Sequence, residues 1–208
     1  MGGYDGATVL FDLDGVLVDS MESVRAGLTA WAAERGLDVD EVLEHSHGRT
    51  DIGLARLVAP HLDPVEEARR IEAHEAAAGD GVRALPAALG LLTELDARGR
   101  PWAVVTSGGD RIARSRLGTA GLPFPRVLVT ADDVTEGKPD PEPYLLGAER
   151  MGVSPQRCVV VEDSPNGASA GIAAGMPVLA VATTSPPSEL AHATTVVADL
   201  AAVARLLL

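Results

Sequence analysis

The segment Val9-Leu10-Phe11-Asp12-Leu13-Asp14-Gly15-Val16-Leu17-Val18-Asp19-Ser20 limits what this chain can become more than any other stretch of it. An apolar run leading straight into Asp12 reads as a strand buried on both faces, one that delivers carboxylates to its C-terminal edge. With period-two alternation Asp12 and Asp14 project the same way, and Gly15 lets the backbone leave the sheet where a branched residue would resist. Two like charges this close in a dry site need a cation between them or a shared proton, and either outcome is chemically useful.

From position 86 onward, helix and strand signals alternate. Helices are expected over 87–98, 111–120, 142–151 and 166–174, and strands over 102–106, 126–130, 158–162 and 178–182. A weaker strand over 195–198 and a short apolar tail close the chain. This rhythm predicts an α/β fold, a parallel Rossmann-like sheet covered on both faces, with ligands outside the carboxyl ends of its strands. Between the first strand and position 86 the patterns are helical: 21–35, capped by Ser20 and ended by Gly36, then 38–44, 51–58 and 64–78. Pro60, Pro64 and Gly79-Asp80-Gly81 punctuate them. The organisation read from this is a core domain of residues 1–15 and 82–208 and a small α-helical cap of residues 16–81, joined near 15–19 and 79–85.

A chain of 208 residues, 46% hydrophobic, can bury a sizeable core. Its formal charge of -13 argues against nucleic acid or an anionic membrane as the partner. No apolar stretch approaches spanning length, and the N-terminus carries no export or lipidation signal. Cys158 is the sole cysteine, which excludes an intramolecular disulfide and points to the cytoplasm; it reads as a core filler. An acidic protein that handles an anion must concentrate positive charge locally, and Lys138 is the only lysine.

Polar residues collect at the expected strand ends: Asp12 and Asp14, then Thr106-Ser107-Gly108-Gly109, then Glu162-Asp163-Ser164, with Lys138 before Pro139. Asp12 and Asp163 can hold Mg2+, which prefers hard carboxylate and water ligands. Ser107 with the free amide of Gly108 can bind phosphate oxygens at a helix N-terminus. Taken singly, such residues are commonly solvated carboxylates and turn caps. Their joint occurrence, in this order, is far more specific.

Four signatures, Asp12-Leu13-Asp14-Gly15, Val105-Thr106-Ser107-Gly108, Gly137-Lys138-Pro139-Asp140-Pro141 and Val161-Glu162-Asp163-Ser164, resemble those of the haloacid dehalogenase (HAD) superfamily over nearly the whole chain. The helical block looks like the α-helical cap of the subfamily that contains small-metabolite phosphatases, and the run from Thr130 to Tyr144 is similar to sugar-phosphate and polyol-phosphate phosphatases. The resemblance implies that Asp12 forms an aspartyl-phosphate and that Asp14 acts as acid and then base. It further implies that Mg2+ binds Asp12, Asp163 and the backbone carbonyl of Asp14, and that Lys138 neutralises charge. Thr106, Ser107 and Gly108 would hold the phosphate, with Ser107 favoured over Thr106 because it directly precedes the glycine pair. Glu162 would support the metal site or Lys138 from behind.

The loop His47-Gly48-Arg49 resembles the family's cap loop over the leaving group. Arg49 either binds a substrate hydroxyl or phosphate or belongs to a solvated turn capped at Thr50. His45 and His47, as a pair, read as facing water rather than as metal ligands. Glu22 is placed towards the cleft by position alone, and Trp31 and Trp102 read as packing residues. The expected substrate is a small phosphorylated metabolite, and a monomer is expected. A β-phosphoglucomutase-like mutase is the nearest alternative, disfavoured because Val24 stands where that family's first cap helix carries a His and because the cap has no Lys. Phosphoglycolate phosphatase and an inactive HAD-fold binding module are the others. The dehalogenase branch, which lacks the second Asp, is disfavoured by Asp14.

Overall fold

The computed structural model describes residues 4–78 and 81–208, so Met1 to Gly3 and the Gly79-Asp80 part of the expected punctuation lie outside the described residues. Six parallel strands form one sheet: β1 (Thr8–Phe11), β4 (Trp102–Val105), β5 (Leu128–Val129), β6 (Cys158–Glu162), β7 (Val178–Val181) and β8 (Thr195–Val197), in the spatial order β5-β4-β1-β6-β7-β8. β1 is central, with Phe11 opposite Val104 on one side and Val161 on the other.

Alternation along the strands sorts their side chains into two cores. Val9, Phe11, Trp102, Val104, Val159 and Val161 face one side. There they meet α5 (Ala88–Ala97), α6 (Asp110–Thr119) and α9 (Leu200–Leu207). Leu10, Ala103, Val105, Cys158 and Val160 face the other and meet α7 (Glu142–Met151) and α8 (Pro165–Ala173). A strand apolar at every position is the sequence expression of a sheet covered on both faces. Both tryptophans pack: Trp102 sets its ring edge-on to Phe11 at 6.5 Å, and Trp31 is wholly buried.

The intervening helices α1 (Met21–Arg35), α2 (Val39–Ser46), α3 (Asp51–Val58) and α4 (Pro64–Ala77) enclose a third cluster built on Leu28, Trp31, Leu54 and Ile71. The two chain passages between this block and the sheet pair with each other as the antiparallel ribbon β2 (Val18–Asp19) and β3 (Arg83–Ala84), Val18 opposite Ala84.

Three sequence expectations require correction. Ser20 makes no side-chain cap to α1; its hydroxyl turns instead to Asp14 Oδ1, 2.5 Å away. The apolar tail is the helix α9, capped by the Asp199 side chain accepting from the Ala202 amide, with Leu200, Val203 and Leu207 on its buried stripe. The stretch expected to lack strands begins and ends in the β2–β3 ribbon.

Candidate active site

Three adjacent strand ends build the site. Asp12 follows β1 directly, its amide donating to the Val161 carbonyl at 2.9 Å, which sets it beside Glu162 and Asp163 at the end of β6. Thr106 follows β4, and its amide donates to Val129 in the same way. Lys138 lies in the loop ahead of α7, and it is fully buried. Its ammonium donates to Asp12 Oδ1 at 2.6 Å, Glu162 Oε1 at 2.7 Å and the Val105 carbonyl at 3.0 Å, and it stands 5.0 Å from the centre of the Tyr144 ring.

Glu162 has no lone pair to spare. Oε1 accepts from Lys138 and from the Tyr144 hydroxyl at 2.9 Å. Oε2 accepts from the amides of Asp163 and Ser164 and from the Ser164 hydroxyl, at 2.9 to 3.1 Å. Carboxylate oxygens of Asp12, Glu162 and Asp163 nevertheless lie within 4.8 Å of one another. With Glu162 saturated, Asp12 and Asp163 are the two that retain oxygen valence for a cation.

Charge compensation follows the same division. Burial pushes the Asp12 carboxyl well above the usual carboxylate range even though Lys138 opposes it, and burial likewise raises Asp163. For Glu162 the cost of burial is outweighed by the Lys138 charge and its hydrogen bonds, and the carboxyl sits below its ordinary value. Against the pull of burial, the charges and hydrogen bonds of Asp12 and Glu162 lift Lys138 above the usual ammonium range. Three buried carboxylates thus face one ammonium. That deficit, with two hard oxygen donors unsaturated, is the setting a divalent cation fits. Asp163 can sit this close to the turn after β1 only because residue 15 is glycine: a Cβ there would stand 2.0 Å from Asp163 Oδ2.

A cavity of about 500 Å3 opens between this cluster and the helical block. Asp14 lines it, held on one oxygen by Ser20 and on the other by Arg116 Nη1 at 2.7 Å. Thr106, Ser107 and Gly108 line it as well, but the Gly108 amide expected to be free donates to Thr106 Oγ1 at 3.1 Å, and α6 starts only at Asp110. Of the two hydroxyls, that of Ser107 is the more available; it reaches the Gly48 carbonyl at 3.3 Å, whereas Thr106 is buried.

His47, Gly48 and Arg49 follow α2 and reach the cavity wall, as does Glu22 on α1. His47 is part exposed, at 30% of its side chain, yet turns its ring towards the acidic cluster rather than wholly to water. Its Nε2 lies 3.4 Å from Asp163 Oδ2 and 3.0 Å from the Thr184 hydroxyl, and Thr184 also donates to Asp163. Burial works against its charge, but the hydrogen bond and charge of Asp163 outweigh that and raise its pKa. Gly48 has φ +68 and packs where a Cβ would meet Ser164 Oγ at 2.3 Å. The Arg49 guanidinium donates to the His45 carbonyl at 3.3 Å while lining the cavity.

Sequence reasoning missed Arg116 and Glu75, although each carried a signal. Arg116 shares the buried stripe of α6 with Ile112, Ala113 and Leu117, and Glu75 continues the Glu67–Ile71 stripe of α4. A charged residue on an apolar stripe needs a partner, and these two are partners: Arg116 Nη2 meets Glu75 Oε2 at 2.5 Å.

A doubly covered parallel sheet with an Asp-x-Asp at its central strand end, a buried Lys beside it and a helical insertion over the cleft defines a capped α/β hydrolase. A family model described as "Hydrolase: haloacid dehalogenase-like hydrolase" matches residues 7–175, and the chain belongs to that family. Among curated proteins it is 49% identical to hexitol phosphatase A of Escherichia coli (strain K12), over 83% of this chain and 81% of that one. It is 34% identical to glycerol-1-phosphate phosphohydrolase 2 of Saccharomyces cerevisiae, over 84% and 74% respectively. Among solved structures, a hydrolase from Pseudomonas syringae superposes with a TM-score of 0.85 at 25% identity, covering 97% of this chain and all of that one.

Proposed function

We propose that the chain is a Mg2+-dependent phosphatase of small sugar or polyol monophosphates that works through an aspartyl-phosphate on Asp12. The observation that carries this reading is the meeting of Asp12 and Asp163, with Lys138 behind Asp12, on the wall of a cavity shared with the helical block. That block, residues 16–81, acts as the cap over a core of residues 1–15 and 82–208. The 49% identity to a hexitol phosphatase supports the substrate class.

Asp12 and Asp163, with the Asp14 backbone carbonyl, would hold Mg2+. Bound there, the ion would screen the repulsion between an anionic nucleophile and an anionic ester. An Asp12 carboxylate oxygen attacks phosphorus as the ester P–O bond breaks, and Asp14 gives its proton to the departing alkoxide. In the second half-reaction Asp14 takes a proton from water, the water oxygen attacks phosphorus, and the acyl phosphate P–O bond returns its electrons to Asp12. Lys138, held by Glu162, supplies fixed positive charge beside both transfers. Ser107 binds a phosphate oxygen, and Thr106 braces the turn through the Gly108 amide.

Val24 supports hydrolysis over phosphosugar transfer, since it presents an alkyl group to the cavity at the position where the mutase family carries a His. A monomer in the cytoplasm, the setting a lone cysteine suits, completes this reading. Among the described residues no helix is long and apolar enough to cross a membrane.

The test is phosphate release from a hexitol phosphate, glycerol phosphate, phosphoglycolate and glucose 1-phosphate, with and without Mg2+. Hexitol phosphate is expected to give the highest kcat/KM, chelation to abolish release, and Asp12→Asn to lower it by at least about 10³-fold with unchanged circular dichroism. Metal-independent release, or an active Asp12→Asn, overturns the mechanism. A folded protein with no release points to a binding module.

A further inference from the structure

Arg116 is buried at 6% exposure, projects from α6 of the core, and joins two carboxylates that belong to different parts of the molecule. Nη1 donates to Asp14 Oδ2 at 2.7 Å, and Nη2 donates to Glu75 Oε2 on α4 of the helical block at 2.5 Å. Glu75 is itself fixed. Its backbone carbonyl accepts from the Ser23 hydroxyl at 3.2 Å, and α1 presses so closely on it that a Cβ at position 27 would stand 2.6 Å from Glu75 Cγ.

We propose that Arg116 is a positioning residue that couples the seating of the helical block to the aim of Asp14. A guanidinium offers two edges in one rigid plane, so the carboxylate on one edge restrains where the other edge can point. With Glu75 docked, Nη1 is held where it fixes the Asp14 carboxyl in the cavity wall beside Asp12. With Glu75 withdrawn, the long arginine side chain regains its rotamers and Asp14 loses its stop. Proton transfer to the leaving group is thereby tied to a closed cavity, where the departing alkoxide is shielded from bulk water.

This inference rests on the phosphatase reading, in which Asp14 protonates the leaving alcohol. It predicts a leaving-group signature that a merely structural role would not produce. kcat/KM reports steps up to the departure of the alcohol, so a misaimed acid harms esters of poor leaving groups and spares esters that depart without a proton. The experiment compares an alkyl phosphate with dinitrophenyl phosphate in the wild type, Arg116→Met, Arg116→Lys and Glu75→Gln, with the thermal midpoint of each recorded.

Arg116→Met is expected to lose about 10²-fold on the alkyl ester and no more than about threefold on the dinitrophenyl ester. Glu75→Gln, which leaves Arg116 in place, is expected to lose about tenfold with the same selectivity. Arg116→Lys is expected to fall between wild type and Arg116→Met on the alkyl ester. Equal losses on the two esters, or no loss in Glu75→Gln, overturn the proposal. If Arg116→Met does not fold, the lysine and glutamine variants decide by the same comparison. A wild type inactive on both esters overturns the phosphatase reading itself, an outcome distinct from a flat profile in an active enzyme.

Discussion

Glu67 is 4% exposed, yet it carries a full charge in the helical block because Arg35 and Trp31 both donate to it, Arg35 Nε at 2.6 Å and Trp31 Nε1 at 2.7 Å. The Arg35 hydrogen bond, opposed by burial, brings its carboxyl below the ordinary value. A depressed carboxylate contributes stability above its unfolded pKa and loses it as pH falls through the folded one. Glu67→Gln is therefore expected to lower stability by roughly 2–3 kcal/mol at pH 7. The gap should close as urea midpoints are taken down through about pH 4. A gap that is independent of pH would assign the loss to packing.

Which residues could be read from sequence follows the same physics. Asp12, Glu162 and Asp163 stood out because polar groups ending apolar strands are chemically exceptional, and Lys138 because it is the only lysine. Arg116 and Glu75 did not, because each looked like one charge among many and their pairing spans 41 residues. The Ser20 hydroxyl was legible as a polar group at a helix start but not as a partner of Asp14, since capping and side-chain pairing use the same residue type.

Elements were legible where local periodicity fixes them. α1 occupies the residues its pattern assigns, Met21–Arg35, and ends at Gly36 with φ +66. α9 was missed as a helix although Leu200, Val203 and Leu207 recur at helical spacing, because eight mostly apolar residues read as a tail. β2 and β3 have two residues each and exist only by pairing with one another, which no local pattern encodes.

Packing between elements is equally nonlocal, and Gly27 shows its cost. A Cβ there would lie 2.8 Å from both the backbone N and the Cα of Glu75, atoms that cannot swing aside. Gly27→Ala gains helix propensity of about 1 kcal/mol. It is nevertheless expected to destabilise by about 1–3 kcal/mol net, measured by thermal or urea denaturation, because α4 must move off α1. An unchanged or raised midpoint would show that the two helices can separate freely.

At the scale of the molecule, the fold class was readable because alternation of strand and helix admits few topologies. The order of strands was not, since nothing local says that β6 crosses to the far side of β1. That crossing places three chemical strand ends at one edge. It does so in a chain of net charge -13, and the cavity does not reverse the sign: six carboxylate residues line it against Arg25, Arg49 and Arg116. Lys138 behind Asp12 and a bound divalent cation would offset that excess at the site itself, so what a phosphate ester meets on approach is the opposing field of the rest of the chain. kcat/KM for a small ester, at fixed Mg2+, is expected to rise about twofold as monovalent salt increases from about 20 to about 150 mM. A fall would mean that the arginines dominate the approach.

The β2–β3 ribbon sets how far this architecture can vary. Because Val18 and Asp19 lie against Ala84 and Arg83, the exit from the sheet and the return to it are one strand spacing apart, about 4.8 Å. Any helical segment whose two ends meet across that gap could be spliced in without disturbing the register of β1. The sheet that carries Asp12 and the helical block beside it are in this sense separate modules, fastened by a seam of four residues, two from each passage.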